Sequence, residues 1–174
     1  EPYLSLTQAL PTINSEIYYK IRHGKIHPRS GIQSISDQTV YFTDGSSSQY
    51  DVIIAATGYK INFPFFDPDF INWEGAEQVS LYLRIFHPGH PSLFFIGLLQ
   101  PQGCIWTLAE AQSKLIGQLL TRKIQLPCNW RELAIAEGKH WASQFIARPR
   151  HSIEVHYYPY LKQLRRMIEG KKTR

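Results

Sequence analysis

Cysteine is scarce. Cys104 and Cys128 are the only two in 174 residues. Two thiols rule out a disulfide framework and a Cys-rich zinc site. They point no further than a reducing compartment, so the cytoplasm is the expected location. Long apolar runs are missing as well. None approaches the ~18–20 residues that a membrane-spanning helix needs. Glu1 to Leu10 lack the basic start and long apolar stretch of a signal peptide. No two of the eleven glycines lie two positions apart, so G-x-G-x-x-G is absent. Methionine occurs once, at Met167, and the chain opens at Glu1. A processed form or a piece of a longer protein is therefore expected.

Histidine is present seven times, but His87 and His90 have neither a helical i, i+4 partner nor a nearby acid cluster. No metal site is expected. The net charge of +5 is unevenly spread. Residues 1–60 carry five bases and five acids, residues 61–126 four and five, and residues 127–174 ten and four. The excess thus sits on the last segment, where a solvated basic helix is expected. No nucleic-acid-binding motif accompanies it, so no nucleic-acid partner is expected. The 23 aromatic residues supply enough apolar surface to exclude a disordered chain.

Along the chain, Ile17–Ile21 reads as a short helix and Lys25–His27 as a short strand closed by Pro28. Ile32 and Ile35 fall in a second strand. Asp37-Gln38 is a turn, and Thr39–Thr43 is a third strand, rich in β-branched and aromatic residues. Asp44-Gly45 marks a reversal, with Ser46–Ser48 lengthening the loop. Tyr50–Thr57, YDVIIAAT, is a nearly unbroken apolar run, as in a parallel strand buried on both faces. Residues 60–80 form an aromatic-rich crossing loop. Leu81–His87 and Ser92–Leu99 are two further strands around the turn at His87–Pro91, the second again buried on both faces. Thr107-Leu-Ala-Glu110 reads as a capping box. Leu108, Ala111, Leu115, Ile116 and Leu119 then continue a helix to about Arg122. A second helix opens at Asn129 and runs towards Ile146. A third spans about Pro159 to Glu169.

Two stretches could carry chemistry. In Asp51–Tyr59, DVIIAATGY, an apolar strand ends on Thr-Gly, which lets backbone approach a bound group with no Cβ in the way. In Phe95–Glu110, FIGLLQPQGCIWTLAE, an apolar strand leads through Gln-Pro-Gln-Gly into a helix. Free amides and positive partial charge at that helix N-terminus could stabilise an anionic group.

Together these stretches resemble the C-terminal half of the flavin-containing monooxygenase family. The resemblance runs from Asp44-Gly45 through the ATGY signature at residues 56–59 and Phe63-Pro64-Phe65. It continues through Leu93–Pro101, Gly103 and Glu110-Ala-Gln112, and covers about residues 25–126. Ala55 departs from the family's usual Phe, and Lys114 stands near a usual Arg.

The resemblance implies an α/β flavoprotein of two dinucleotide-binding domains, with cofactors FAD and NADPH. Residues 1–56 would then be the C-terminal part of the NADPH domain, with a β-meander. Residues 57–126 would return to the FAD domain as its closing strand and helix, and residues 127–174 would be a helical extension. It also implies NADPH reduction of the flavin, addition of O2 to give a hydroperoxyflavin, and oxygenation of a nitrogen, a sulfur or a ketone in a small-molecule substrate. The implied cofactor-binding residues are Thr57, Gly58, Tyr59, Gln100, Pro101, Gly103 and Thr107. Catalytic residues are not identified. The phosphate-binding turns would lie in the missing N-terminal part of the same enzyme, so the chain alone is expected to be inactive. The competing expectation is a non-enzymatic α/β interaction domain with a basic C-terminal helix. An excess of exposed aromatics in residues 60–108 would argue against it.

Overall fold

The computed structural model describes residues 14–145 and 149–170. The chain divides into two compact units, with the boundary between Gly58 and Tyr59.

In the first unit a short helix α1 (Glu16–Arg22) precedes an antiparallel meander. Its strands are β1 (Ile32–Ser36), β2 (Thr39–Phe42) and β3 (Ser47–Gln49). The first hairpin turns at Asp37, whose φ of 51° is left-handed, a region that Asp tolerates better than most residues. The second turns at Asp44-Gly45, where the Asp44 carboxylate accepts the amide and hydroxyl of Ser46. These bonds hold the Asp44 carboxyl below its usual range. Along β2, Val40 and Phe42 point inward while Tyr41 is exposed, the period-2 alternation of a one-faced sheet. Tyr50 meets the Phe42 ring edge-on and Arg29 lies over it.

Three expectations fail in this unit. Lys25–His27 is not a strand but the chain leaving α1. Ser47 and Ser48 are not loop; they pair with Tyr41 and Val40. The largest departure is Tyr50–Thr57, expected as a strand buried on both faces. It forms no regular structure, and Val52, Ile53 and Ile54 are exposed, Ile54 at 86%. A strand of the parallel kind is held by neighbours distant in sequence, and beyond the Tyr50 amide, which donates to the Gln38 carbonyl, no strand among the described residues pairs with this segment.

The second unit is built around α2 (Ile105–Leu120), α3 (Trp130–Gln144) and α4 (Tyr157–Ile168). Leu108, Leu115, Ala134, Trp141, Tyr160 and Leu164 are buried in one shared core. A smaller core joins Ile71, Val79, Leu81 and Phe95 to Phe63, Phe66 and Trp73 of the aromatic loop. Close packing explains why a glycine, Gly138, stands inside α3. A Cβ there would come within 2.7 Å of both the Gln78 and Ser80 side chains, so its absence lets the helix approach them.

Leu81–His87 is not a continuous strand. Leu83 and Arg84 both take left-handed φ (52° and 53°), which folds Tyr82–Phe86 into a tight turn. Only β4 (Phe86–His87) remains, antiparallel to β5 (His90–Phe94). Gly97, at φ 74°, ends the extended run early, and β5 is mostly exposed or half-buried rather than covered on both faces. In place of the doubly buried strand expected at Ser92–Leu99 stands this short antiparallel ribbon. The one parallel pairing among the described residues joins β6 (Gln100–Pro101) to β7 (Glu154–Val155), next to the short 3-10 turn Pro149–His151.

Candidate functional site

Four of the residues singled out from sequence lie along the corner where β6 leads into α2. Gln100 and Pro101 lie on β6, where the Gln100 amide donates to the Ile153 carbonyl at 2.8 Å. Gly103 makes the turn into α2. Its φ is 156°, and a Cβ there would sit 2.9 Å from the Tyr157 ring, so the turn packs against α4 only because that atom is absent. Thr107 is the third residue of α2, not its cap.

That placement overturns the capping box. The N-cap is Cys104, two residues before Trp106. Glu110 turns forward instead and pairs with Lys114 at 2.6 Å, an i, i+4 ion pair that holds its carboxyl below the usual range. The helix starts earlier because Gly103 already reverses the chain, which leaves Ile105 free to wind. No side chain makes a capping hydrogen bond at this end. The Cys104 sulfur lies nearest, and the amides of Thr107 and Trp106 lower its thiol pKa. These first-turn amides of α2 thus meet only a sulfur, a weak acceptor. Beside them Trp106 is 78% exposed, and Ile96 is exposed as well.

Thr57, Gly58 and Tyr59 are not brought into a folded contact. They are exposed and irregular, and they straddle the boundary between the units. Gly58 has φ 89°, and nothing lies within 4 Å of where a Cβ would sit, so it is the backbone conformation, not crowding, that calls for glycine in this chain.

Sequence reasoning missed the polar network behind the corner. Gln112 is fully buried. Its Oε1 accepts the Gly97 amide at 2.8 Å, and its Nε2 donates to the Tyr160 hydroxyl at 2.6 Å. That hydroxyl donates in turn to the Leu83 carbonyl at 2.6 Å. The Leu83 amide donates to Glu137 Oε2 at 2.6 Å, and Gln163 donates to Oε1. Arg84, also buried, donates to the carbonyls of Val79, Ser152 and Glu154. Burial pushes the Glu137 carboxyl up to about 7 and lowers Arg84 to about 10. The left-handed turn at Leu83-Arg84 is thus held by α2, α3 and α4 together. The only available signal was Gln112, a polar residue on the apolar stripe of α2.

Among the described residues no group of three or more His, Cys, Asp and Glu could hold a metal ion. Nor is any helix among them long and apolar enough to cross a membrane.

Residues 3–173 match the family model described as flavin-binding monooxygenase-like. Similar proteins include a 4-hydroxybenzoate brominase (decarboxylating) from Marinomonas mediterranea, 32% identical over 94% of this chain and 32% of its own length. Flavin-containing monooxygenase 5 of Rattus norvegicus is 28% identical over 91% of the chain and 30% of its own. Dimethylaniline monooxygenase (N-oxide-forming) 2 of Rattus norvegicus is 30% identical over 92% and 31%. The chain spans about a third of the length of these relatives.

Proposed function

Because the chain belongs to the flavin-binding monooxygenase-like family, we propose that it is the C-terminal part of an NADPH- and O2-dependent flavin monooxygenase. The observation that carries this reading is the family match along almost the whole chain. On it, residues 1–56 end the NADPH domain, residues 57–126 return to the FAD domain, and residues 127–174 extend it with helices.

The donors at the β6–α2 corner fit a flavin. First-turn amides that meet only the weakly accepting Cys104 sulfur suit a ring that gains negative charge. Gly103 brings the backbone forward with no side chain, and exposed Trp106 and Ile96 offer apolar surface beside it. Gln100, Pro101, Gly103 and Thr107 would hold the cofactor here, and Thr57, Gly58 and Tyr59 would contact it at the crossing between domains. A bound flavin would supply the redox chemistry, accepting hydride from NADPH and delivering electrons to O2.

The chain's own residues do the positioning. Gln112 fixes the Gly97 loop, and β7 fixes Gln100. The apolar run Val52–Ile54 offers unpaired strand edges to the rest of such an enzyme. Exposed Phe65, Phe70 and Trp106 weigh against a self-contained interaction domain. A nitrogen, a sulfur or a ketone is the proposed acceptor of oxygen, and the N-oxide-forming relative supports nitrogen.

The test is NADPH oxidation with O2 uptake by the chain extended upstream, using tertiary amines, thioethers and cyclic ketones as acceptors. Acceptor-dependent oxygenated product is expected. NADPH oxidation with no oxygenated product from any class would contradict the reading.

A further inference from the structure

The second unit holds a cleft of about 820 Å³ that the flavin reading does not use. Its walls are the segment after α2 (Ile124, Leu126), the face of α3 carrying Leu133 and Glu137, and the end of α4 with Gln163 and Met167. It lies beyond the C-terminal end of α2. The first turn of that helix forms the β6 corner, and 16 helical residues span about 24 Å. The volume falls within the range of small-molecule sites, about 300–1,000 Å³.

We propose that this cleft binds a small organic cation with an apolar body, its charge set against Glu137. Glu137 is the one acidic residue among the described residues lining the cleft. Each of its oxygens accepts one hydrogen bond, from Leu83 and from Gln163. A carboxylate oxygen can accept two, so each retains an acceptor site.

No cation pairs with it directly. Arg84 spends its hydrogen bonds on three carbonyls. Lys123, on the same lining, is exposed and forms no ion pair with Glu137. An exposed ammonium is screened by water, whereas a carboxylate on an apolar wall is not. Burial lifts the Glu137 carboxyl to about 7, outweighing the Leu83 and Gln163 hydrogen bonds and the nearby Arg84 charge, so the carboxylate there remains under-compensated. A ligand cation supplies the missing compensation, and the apolar side chains around it take up a hydrocarbon or aromatic body. An anion meets the carboxylate instead and is rejected.

Three ligands of like shape test this on the full 174-residue chain by calorimetry: 3-phenylpropan-1-ammonium, 3-phenylpropan-1-ol and 3-phenylpropionate. The cation should bind about ten-fold tighter than the alcohol, and the carboxylate more weakly than either. Glu137→Gln should lower the cation to the level of the alcohol and leave the alcohol unchanged. Leu133→Trp, which fills the cleft, should weaken the cation and the alcohol alike. Equal affinities for the three ligands, preference for the carboxylate, or no binding of the cation would overturn the proposal. So would a cation preference that survives Glu137→Gln. If Glu137→Gln fails to melt cooperatively, the ligand ranking and amide shifts at Leu133, Glu137 and Met167 in the unaltered chain decide alone. No flavin or NADPH enters the experiment, so its outcome is independent of the monooxygenase reading.

Discussion

Single atoms decide two features of the second unit. Gly103 is held between a turn and the Tyr157 ring, and an added methyl lands 2.9 Å from that ring. Gly103→Ala should cost about 1–3 kcal/mol by overpacking, read from the urea midpoint at unchanged slope. Pairing it with Tyr157→Leu should recover part of the loss. Full additivity of the two would show that the ring is not what the methyl meets. Glu137 makes a different prediction, through pH. Its carboxyl titrates at about 7 in the folded chain against 4.5 for the ordinary group. A raised carboxyl pKa means that the folded state binds the proton more tightly. The stabilisation is complete below pH 4.5 and is lost as pH rises to 7 and beyond. The loss is about 3 kcal/mol at most. Of the groups facing it, Tyr82 is pushed up to about 12, Tyr160 is raised and Arg84 lies at about 10, so these do not titrate in that window. Glu137→Gln should therefore flatten the stability profile between pH 4.5 and 7. Parallel profiles for the two proteins would show that the carboxyl is not buried in this way. Neither feature was legible in the sequence. Gly103 was read only as a cofactor-binding residue and Glu137 was not singled out, because both packing roles depend on partners 54 positions away on the chain.

At the scale of elements, helices were read well and strands poorly, for one physical reason. The register of α2, α3 and α4 follows from local apolar spacing, and each sits within a few residues of its expected bounds. The meander was also legible, since Asp37-Gln38 and Asp44-Gly45 close its hairpins locally. Apolar runs without local turns misled. Tyr50–Thr57 has the composition of a central strand, but composition cannot supply the neighbours that such a strand needs. In Leu81–His87 the left-handed pair Leu83-Arg84 is imposed by Tyr160, Gln112 and Glu137, not by any glycine. At α2 a Thr-x-x-Glu pattern suggested the cap, yet Gly103 and Cys104 begin the helix. The two starts differ in energy. A Thr at the N-cap is worth about 1 kcal/mol, whereas at the third helical position its loss should cost less than about 0.5 kcal/mol. Leu115→Ala, at a fully buried position of the same helix, should cost about 2–5 kcal/mol. Chemical denaturation of both variants checks the contrast, and a Thr107→Ala loss above about 1 kcal/mol would restore Thr107 as the cap.

For the whole molecule, the family was legible because the ATGY stretch and the Gln-Pro-Gln-Gly stretch occur in order and at family spacing. The match along residues 3–173 bears out that assignment. Of the proposed site, the connection into a helix that carries Gln100, Pro101 and Gly103 was legible, whereas Thr107 was misread as the cap. Thr57, Gly58 and Tyr59 are exposed and irregular at the unit boundary, because the segment before it has no strand to pair with. The chain also spans only about a third of its relatives and contains no G-x-G-x-x-G. Its apolar segment Val52–Ile54 and aromatic Trp106 then remain exposed. The central claim is that this chain closes a flavin domain whose phosphate-binding turns lie elsewhere in the same enzyme. The most direct measurement is FAD binding by two purified proteins, the 174-residue chain and the same chain extended upstream through a G-x-G-x-x-G segment. Flavin fluorescence is followed on titration, and the absorbance spectrum as purified. The account predicts a yellow extended protein with stoichiometric FAD, and no saturable binding to the short chain at micromolar flavin. Stoichiometric binding by the short chain, or a colourless extended protein that takes up no FAD, would contradict it.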